Sequence, residues 1–440
     1  MLFSTSAAVA IISLLVVYFF LITEKIDKVI VAIIGAAFLI TTQIFKTTDH
    51  TSQENALEFV SKNLDVLGFV VGMMILIGVI RKSGFFEAVA IWIVKKLKGN
   101  PAWLLAGMGY LAFFMTAFIS NIPTVLILSP VLLVLIRQLK LPYFPFFFSL
   151  IAMANLGGAA TPISDPTTYY EAKVVGLSFM EVLSNSGLTV IALSVVTTIF
   201  CQLVFRKDLQ SVKVSAKDVA GFKPRKAIKD RKILYLGLPL LALAILLMVG
   251  KEWIASVSGI ALDNATIVLA AAFIALLLFK VSPHVALQEL VGWEIIFFFL
   301  GLFVVVGSLE YTGVIHQLGK WIVDVTGGNP NLLLFAITTG SGILSTFIDN
   351  VPYNITMVGA VQAMAAQGIN VYPLWWGLNV GTSLGGAGSM IAAACNVIAL
   401  GHADKEGFHT GFLKFFKYGF PLVLLNGLIA YGILYLKFLA

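Results

Sequence analysis

Two aspartates lie where acidic side chains are costly. Asp165 and Asp349 each fall inside a long apolar stretch, within three residues of a proline, in Thr161-Pro-Ile-Ser-Asp165-Pro166 and Ile348-Asp349-Asn350-Val351-Pro352. An ionisable group in a bilayer is functional by default, and a carboxylate there can carry a proton or hold a sodium ion. Polar residues gather near both. Ser120-Asn121-Ile122-Pro123-Thr124 and Asp349-Asn350-Val351-Pro352-Tyr353-Asn354 read as the turns of two helical hairpins. Proline removes a backbone donor and opens the helix, and the freed backbone must find protein, water or a ligand. Asparagine suits such a tip because it offers both donor and acceptor.

A second polar pattern interrupts two other apolar runs. The first extends from Asn155 through Gly157, Gly158 and Thr161 to Asp165 and Thr168; the second runs from Thr382 and Ser383 through Gly385, Gly386 and Ser389 to Asn396. Paired glycines let backbone approach a solute closely, and a restarting half-helix points N–H groups and a positive dipole end into the gap. The polar residues of the tips and breaks are therefore the candidate solute contacts, and Asp165 and Asp349 the candidate ion carriers. Plainer roles compete: glycine also permits close helix packing in membranes, and Asp or Asn can simply cap a helix. Glu87, Glu171, Glu310 and Asp324 lie nearer the ends of apolar runs, where a solvated role is expected.

The elements that must position these residues are membrane helices. Of 440 residues, 59% are apolar and 12% charged, about half the charged share of soluble domains. Apolar runs of about 17–25 residues, enough to cross the bilayer, recur from Ala7–Ile22 onward. That first run lacks a basic leader and a small-residue cleavage pattern, so it reads as a retained span. Cys201 and Cys395 form no CxxC pair, and of five histidines only His402 and His409 are close, so neither a disulfide framework nor a metal cluster is expected. The net charge of +7 comes from loops between spans, above all Arg206–Lys232 with ten Lys/Arg. This is the positive-inside bias rather than a nucleic-acid surface.

The two halves repeat each other. Gly72, Gly78, Gly84, Trp92, Gly99-Asn100-Pro101, Phe118-Ile119, Asn121 and Pro123 recur 229 residues later as Gly301, Gly307, Gly313, Trp321, Gly328-Asn329-Pro330, Phe347-Ile348, Asn350 and Pro352. Leu156-Gly-Gly-Ala159 recurs as Leu384-Gly-Gly-Ala387, one residue closer. The aspartates do not match: Asp349 aligns with Ser120, and Asp165 with Ala393. Counting spans outward from the basic loop puts Lys25, Lys28, Arg81–Lys98, Arg137 and Lys140 inside and His50–Asn63 outside. The first hairpin then enters from the cytoplasm and the second from the outside. Inverted repeats with interrupted segments at matching positions point to a transporter with its site at the midplane.

The expected fold is thus an all-α polytopic membrane protein of two inverted-topology repeats, each with scaffold helices, a re-entrant hairpin and a broken transmembrane helix. Residues 1–205 form the first repeat, with its hairpin at about 102–140 and broken helix at about 144–183. A basic linker at 206–232 follows, then the second repeat at 233–440, with hairpin about 331–366 and broken helix about 371–402.

Gly72-Met-Met-Ile-Leu76 with Ser83-Gly-Phe-Phe86, Gly157-Gly-Ala-Ala-Thr-Pro-Ile-Ser-Asp-Pro166 and Leu384–Val397 resemble the ion transporter superfamily, in its arsenite-efflux (ArsB), sodium/proton antiporter (NhaD) and melanosomal P-protein branch, which is citrate-transporter-like. The resemblance covers nearly the whole chain. It implies a transport unit of hairpins and broken helices moving as an elevator; dimerisation is common in relatives though not universal, which allows a homodimer. Related dicarboxylate transporters carry Ser-Asn-Thr at both tips, holding sodium and substrate. Here the first tip lacks the Thr, the second has Asp349 for Ser, and Thr168 takes an Asn position.

The composition and resemblance together indicate a multi-pass protein of the cell (inner) membrane, a secondary transporter of a small inorganic or organic solute coupled to a proton or sodium ion, without other cofactors. Proton-coupled efflux of arsenite or antimonite is the first expectation, because neutral As(OH)₃ suits amides, hydroxyls and one or two carboxylates. Sodium/proton antiport and ion-coupled transport of a di- or tricarboxylate are the alternatives. An intramembrane enzyme would need a nucleophile with a base or a metal cluster, and the sequence supplies neither.

Overall fold

The computed structural model describes residues 5–23, 26–46, 51–212, 214 and 216–440. Lys25 and His50, placed above on opposite sides, lie outside the described residues. The chain is all-helical where described, and seven helices among those residues are long and apolar enough to cross a membrane.

The first half contains α1 (Thr5–Thr23), α2 (Lys28–Thr41), the short α3 (Ser52–Ser61), α4 (Leu64–Arg81), α5 (Phe85–Lys96), the hairpin α6 (Pro101–Ile119) and α7 (Asn121–Leu139), the broken helix α8 (Tyr143–Gly157) and α9 (Pro166–Val175), and α10 (Phe179–Val204). The second half contains α11 (Arg231–Ser258), α12 (Asn264–Phe279), α13 (Trp293–Tyr311), α14 (Val314–Thr326), the hairpin α15 (Pro330–Ser345) and α16 (Asn350–Ala365), the broken helix α17 (Tyr372–Gly386) and α18 (Ala394–Lys405), and α19 (Phe412–Phe438).

The repeated residues have local reasons. Gly-Asn-Pro starts each hairpin: Asn100 Oδ1 accepts from the N–H of Ala102 at 3.1 Å, and Asn329 Oδ1 from that of Asn331 at 2.9 Å. Each proline occupies the first turn, where a missing N–H breaks no bond. Gly84 and Gly313, with φ of 75° and 74°, begin α5 and α14 in the left-handed region that glycine tolerates.

The matched glycines of the scaffold also explain how the halves join. Helix α4 packs on α12 of the other half, and α13 packs on α2. At the first crossing a Cβ on Gly72 would lie 2.8 Å from Val268 Cγ1; at the second, one on Gly301 would lie 2.6 Å from the Ala32 carbonyl carbon. One turn-pair further, Gly78 meets Leu290 and Gly307 meets Phe59 in the same way. Small residues let helix backbones approach where lipid gives no hydrophobic drive for association. The lead-in helices are exchanged between the halves, and the repeat carries the two crossings as copies.

Inversion follows from the contacts at the ends. On the basic-loop face, the Lys229 N–H donates to the Ser83 carbonyl at 2.8 Å, Gln202 Nε2 to the Ala102 carbonyl at 3.1 Å, and Arg137 pairs with Glu406. Both feet of the first hairpin and the end of α18 therefore share that face. The end of α9 is on the other: Lys173 Nζ contacts Asp65 Oδ1 and the Lys62 carbonyl, both at 2.5 Å. The start of α17 is there too, where Tyr372 packs on Phe438 and Lys437 donates to the Ser184 carbonyl at 2.8 Å. The two broken helices run in opposite directions.

Arg137 and Asn331 are exposed at the feet of the two hairpins. Single cysteines there are expected to react with a membrane-impermeant thiol reagent from opposite sides of sealed vesicles. Labelling of both from one side would contradict the inverted arrangement.

Candidate functional site

Four helix N-termini converge in the middle of the molecule, and they are finished in two different ways. At α9, Asp165 is the cap: Oδ1 accepts from the Thr167 N–H at 3.0 Å and from its hydroxyl at 2.7 Å. At α16, Asp349 Oδ1 accepts from the Val351 N–H at 3.1 Å. The starts of α7 and α18, after Ser120 and Ala393, have no side-chain cap. Each half thus has one helix start carrying a carboxylate and one left open, in exchanged elements.

The tips are tied to the breaks. Asn121 Nδ2 donates to Asp165 Oδ2, while Asn121 Oδ1 is buried without a partner among the described residues. The Asn350 N–H donates to the Ala392 carbonyl at 3.1 Å. Ser120 turns the first hairpin alone, at φ 74° and ψ 157°. Between the tips lies a cavity of about 30 Å³ lined by Asn121, Asp165, Asp349, Asn350, Cys395 and Lys28 among others. A larger cavity of about 310 Å³ shares Lys28 and Asp349 and extends to Asp27 and Glu294, at the starts of α2 and α13 on the basic-loop face.

The broken helices also bond to each other. Asn155 Nδ2 donates to Asn396 Oδ1 at 2.8 Å, and Asn396 Nδ2 donates to the carbonyls of Gly386 at 2.6 Å and Ser389 at 2.9 Å. Thr168 donates to Asn379 Oδ1 at 2.9 Å, and Asn379 Nδ2 to Ser186 Oγ at 3.1 Å. Several of the predicted polar residues serve the backbone: the hydroxyls of Thr124, Thr161 and Ser389 donate to the carbonyls of Ser120, Ala117 and Thr346. Ser383 is buried within α17.

The paired glycines face protein rather than open space. A Cβ on Gly157 would lie 2.5 Å from the Phe113 carbonyl, and one on Gly385 2.5 Å from Ser345 Cβ, so each seats its broken helix on its own hairpin arm. Gly386 gives room to Asn155 Oδ1, and Gly158 lies near its own turn and Asp165. At Gly157 and Gly385 the close approach serves helix packing, and at Gly386 it admits the Asn155 side chain.

Four features were not legible in the sequence. Lys28, at the start of an apolar run, reaches both cavities. Cys395 lines the inner one, its Sγ 3.4 Å from Asn396 Oδ1. Asn379 was hidden in an apolar stretch with no proline or glycine pair beside it. Glu171, expected to be solvated, is 1% exposed, because the half-helix α9 is enclosed by α4, α16 and α17.

Comparisons with known proteins agree with this architecture. A family model described as citrate transporter matches residues 18–381. A 46 kDa membrane protein of Mycobacterium leprae is 30% identical over 438 residues, covering 98% of this chain and 99% of that one. The P protein of Mus musculus is 24% identical, covering 93% of this chain and 58% of its own length. Among solved structures, the YdaH transporter of Alcanivorax borkumensis, described as having an unusual topology, superposes with a TM-score of 0.58 at 15% identity over 99% of both chains. That likeness concerns the fold alone.

Asn396 joins the two broken helices and satisfies two carbonyls. Asn396→Ala leaves those carbonyls and the Asn155 amide short of partners, at about 1–3 kcal/mol for each buried group orphaned. A lower thermal unfolding midpoint of the purified protein in detergent is the expected result. An unchanged midpoint would show that the amide bridge contributes nothing to the break.

Proposed function

The chain belongs to the citrate transporter family, and from that premise we propose that it is an ion-coupled secondary transporter in which Asp165 and Asp349 take up the coupling proton or sodium ion. The inner cavity carries this reading. Both aspartates line a space of about 30 Å³, room for a water or a bare ion and too little for an organic acid. The unpartnered Asn121 Oδ1 beside them adds an acceptor that a cation or a protonated group would fill.

For the solute we assign the outer cavity and a small, hydroxylated, uncharged species, with arsenite or antimonite as the first choice and export as the direction. Asp27, Glu294 and Asp349 face one Lys28 there, so a tricarboxylate would meet more negative charge than positive. A second reading, uptake of a di- or tricarboxylate, is favoured by the uncapped start of α18 beside Lys28 and by the description of the family. In either case hairpins and broken helices move together against the scaffold. The contacts between them support this, since packing such as Phe303 beside Tyr170 is apolar contact rather than hydrogen bonding.

Asp165→Asn and Asp349→Asn test the coupling role, because asparagine caps a helix well and does not titrate. Purified protein in vesicles is assayed for gradient-driven flux of arsenite, sodium and citrate. Losing a charged hydrogen-bond partner worth about 1.5–3 kcal/mol is about ten- to hundredfold in ion affinity, so flux is expected to fall steeply in at least one variant. Wild-type flux with the wild-type pH profile in both variants would overturn the assignment. The solute that moves in the wild type decides between the two substrate readings.

A further inference from the structure

Glu171 and Asn354 form a buried pair that the tips and breaks do not explain. Each is 1% exposed. Glu171 is on α9, in the first half, and Asn354 on α16, in the second. Asn354 Nδ2 donates to Glu171 Oε2 at 3.2 Å, which leaves Glu171 Oε1 and Asn354 Oδ1, both buried, without partners among the described residues. Both orphans are acceptors when the carboxyl is ionised, and each belongs to a group whose other polar atom is already in the shared hydrogen bond. A hydrogen on Oε1 resolves this: it donates to Oδ1, and the two groups close into a ring of two hydrogen bonds. We propose that Glu171 is a proton-binding site separate from Asp165 and Asp349, in which the protonated carboxyl and the Asn354 amide lock the two halves of the transport unit together.

Among the described residues no lysine, arginine or histidine pairs with Glu171. On its own helix Lys173 is held by Asp65 of α4 and by the Lys62 carbonyl. Tyr169 stacks on Phe69 and Tyr170 lies beside Phe303 of α13, whose Glu310 is exposed. On α16, Tyr353 donates to Ser341 Oγ at 3.0 Å, and Asp349 caps the start of the helix, little more than a turn before Asn354. Helix α17 contains no Asp, Glu, Lys, Arg or His.

Duplication supplies an internal control. The contact of α16 with α9 has its counterpart in the contact of α7 with α18. The positions equivalent to Asn354 and Glu171 there, by the spacings of 229 and 228 residues, are Val125 and Ala399, both fully buried. The crossing itself therefore needs no polar pair. Loss of the proton removes one hydrogen bond and sets two acceptor oxygens against each other, so it weakens the contact between α9 and α16.

Infrared spectroscopy of the full chain in lipid vesicles tests the assignment independently of any substrate. Glu171→Gln keeps the ring as an amide pair, and the double variant Glu171→Ala with Asn354→Val installs the apolar contact of the other half, so the second reads the result if the first does not fold. The wild type at neutral pH is expected to show a carboxylic-acid carbonyl band, lost on raising the pH and absent from the variants. Identical absorption by wild type and variants in that region would overturn the proposal. So would a Glu171 carboxylate band that responds to sodium rather than to pH, which would make the pair a cation site. Failure of the transport assays with intact bands would instead count against the substrate reading alone.

Discussion

A broken helix inside a membrane protein leaves backbone groups that have no water to turn to, and the interior is built around meeting that demand. Each unpaired N–H or carbonyl in such a medium costs several kcal/mol. On the carbonyl side, the Gly158 oxygen accepts from the hydroxyl of Ser164, and the Gly386 oxygen accepts from Asn396. The hydroxyls and amides that look like solute contacts in the sequence are therefore committed largely to the break itself. On the N–H side only two of four helix starts are closed, by Asp165 and Asp349. The open ones, after Ser120 and Ala393, are what remains for a ligand.

The same constraint explains why the duplication is faithful in the scaffold and unfaithful at the centre. Gly72 with Gly301 and Gly78 with Gly307 serve equivalent crossings, where a side chain in either copy would strike its neighbour. At the tips and breaks, symmetry would have placed carboxylates at matched positions of both halves: none, two in one kind of element, or all four. Four in one cavity would repel one another strongly, and none would leave no titratable or cation-binding group there. One acid per half, at Asp165 in a break and Asp349 at a tip, avoids both outcomes. The Glu171 and Asn354 pair, answered by Ala399 and Val125, departs from symmetry in the same manner.

What the sequence conveyed depends on distance along the chain. The polar turns at Ser120 and Asp349 and the breaks after Gly157 and Gly386 are local events, and the residues there signalled an interrupted helix. The asparagine bridge from Asn155 to Asn396 joins residues 241 apart, and nothing in either segment names its partner. Lys28 belongs to a scaffold helix by position and to the cavity only through the packing of α2 on α13. Glu171 was misplaced for a related reason. Closeness to the end of an apolar run implies solvent when a helix spans the bilayer alone, but α9 is a half-helix surrounded by protein.

The distribution of hydrogen bonds divides the molecule into two bodies. Bonds that join hairpins to breaks and one half to the other are numerous and directional: Asn121 to Asp165, Asn350 to Ala392, Asn155 to Asn396, Thr168 to Asn379 and Asn354 to Glu171. Between that body and the helices α1–α4 and α11–α13 the contacts are mainly apolar, with the bonds of Lys173 and Tyr169 to Asp65 and of Tyr18 to Thr356 as exceptions. Apolar surfaces can exchange neighbours with little change in energy, whereas a buried hydrogen bond moved out of register loses its partner outright. Displacement of one body against the other is thus resisted less than deformation within the inner one. On the coupling role proposed for Asp165 and Asp349, an ion held there would add bonds to side chains of the inner body, in a space whose other wall is Lys28 and Phe298 of the frame.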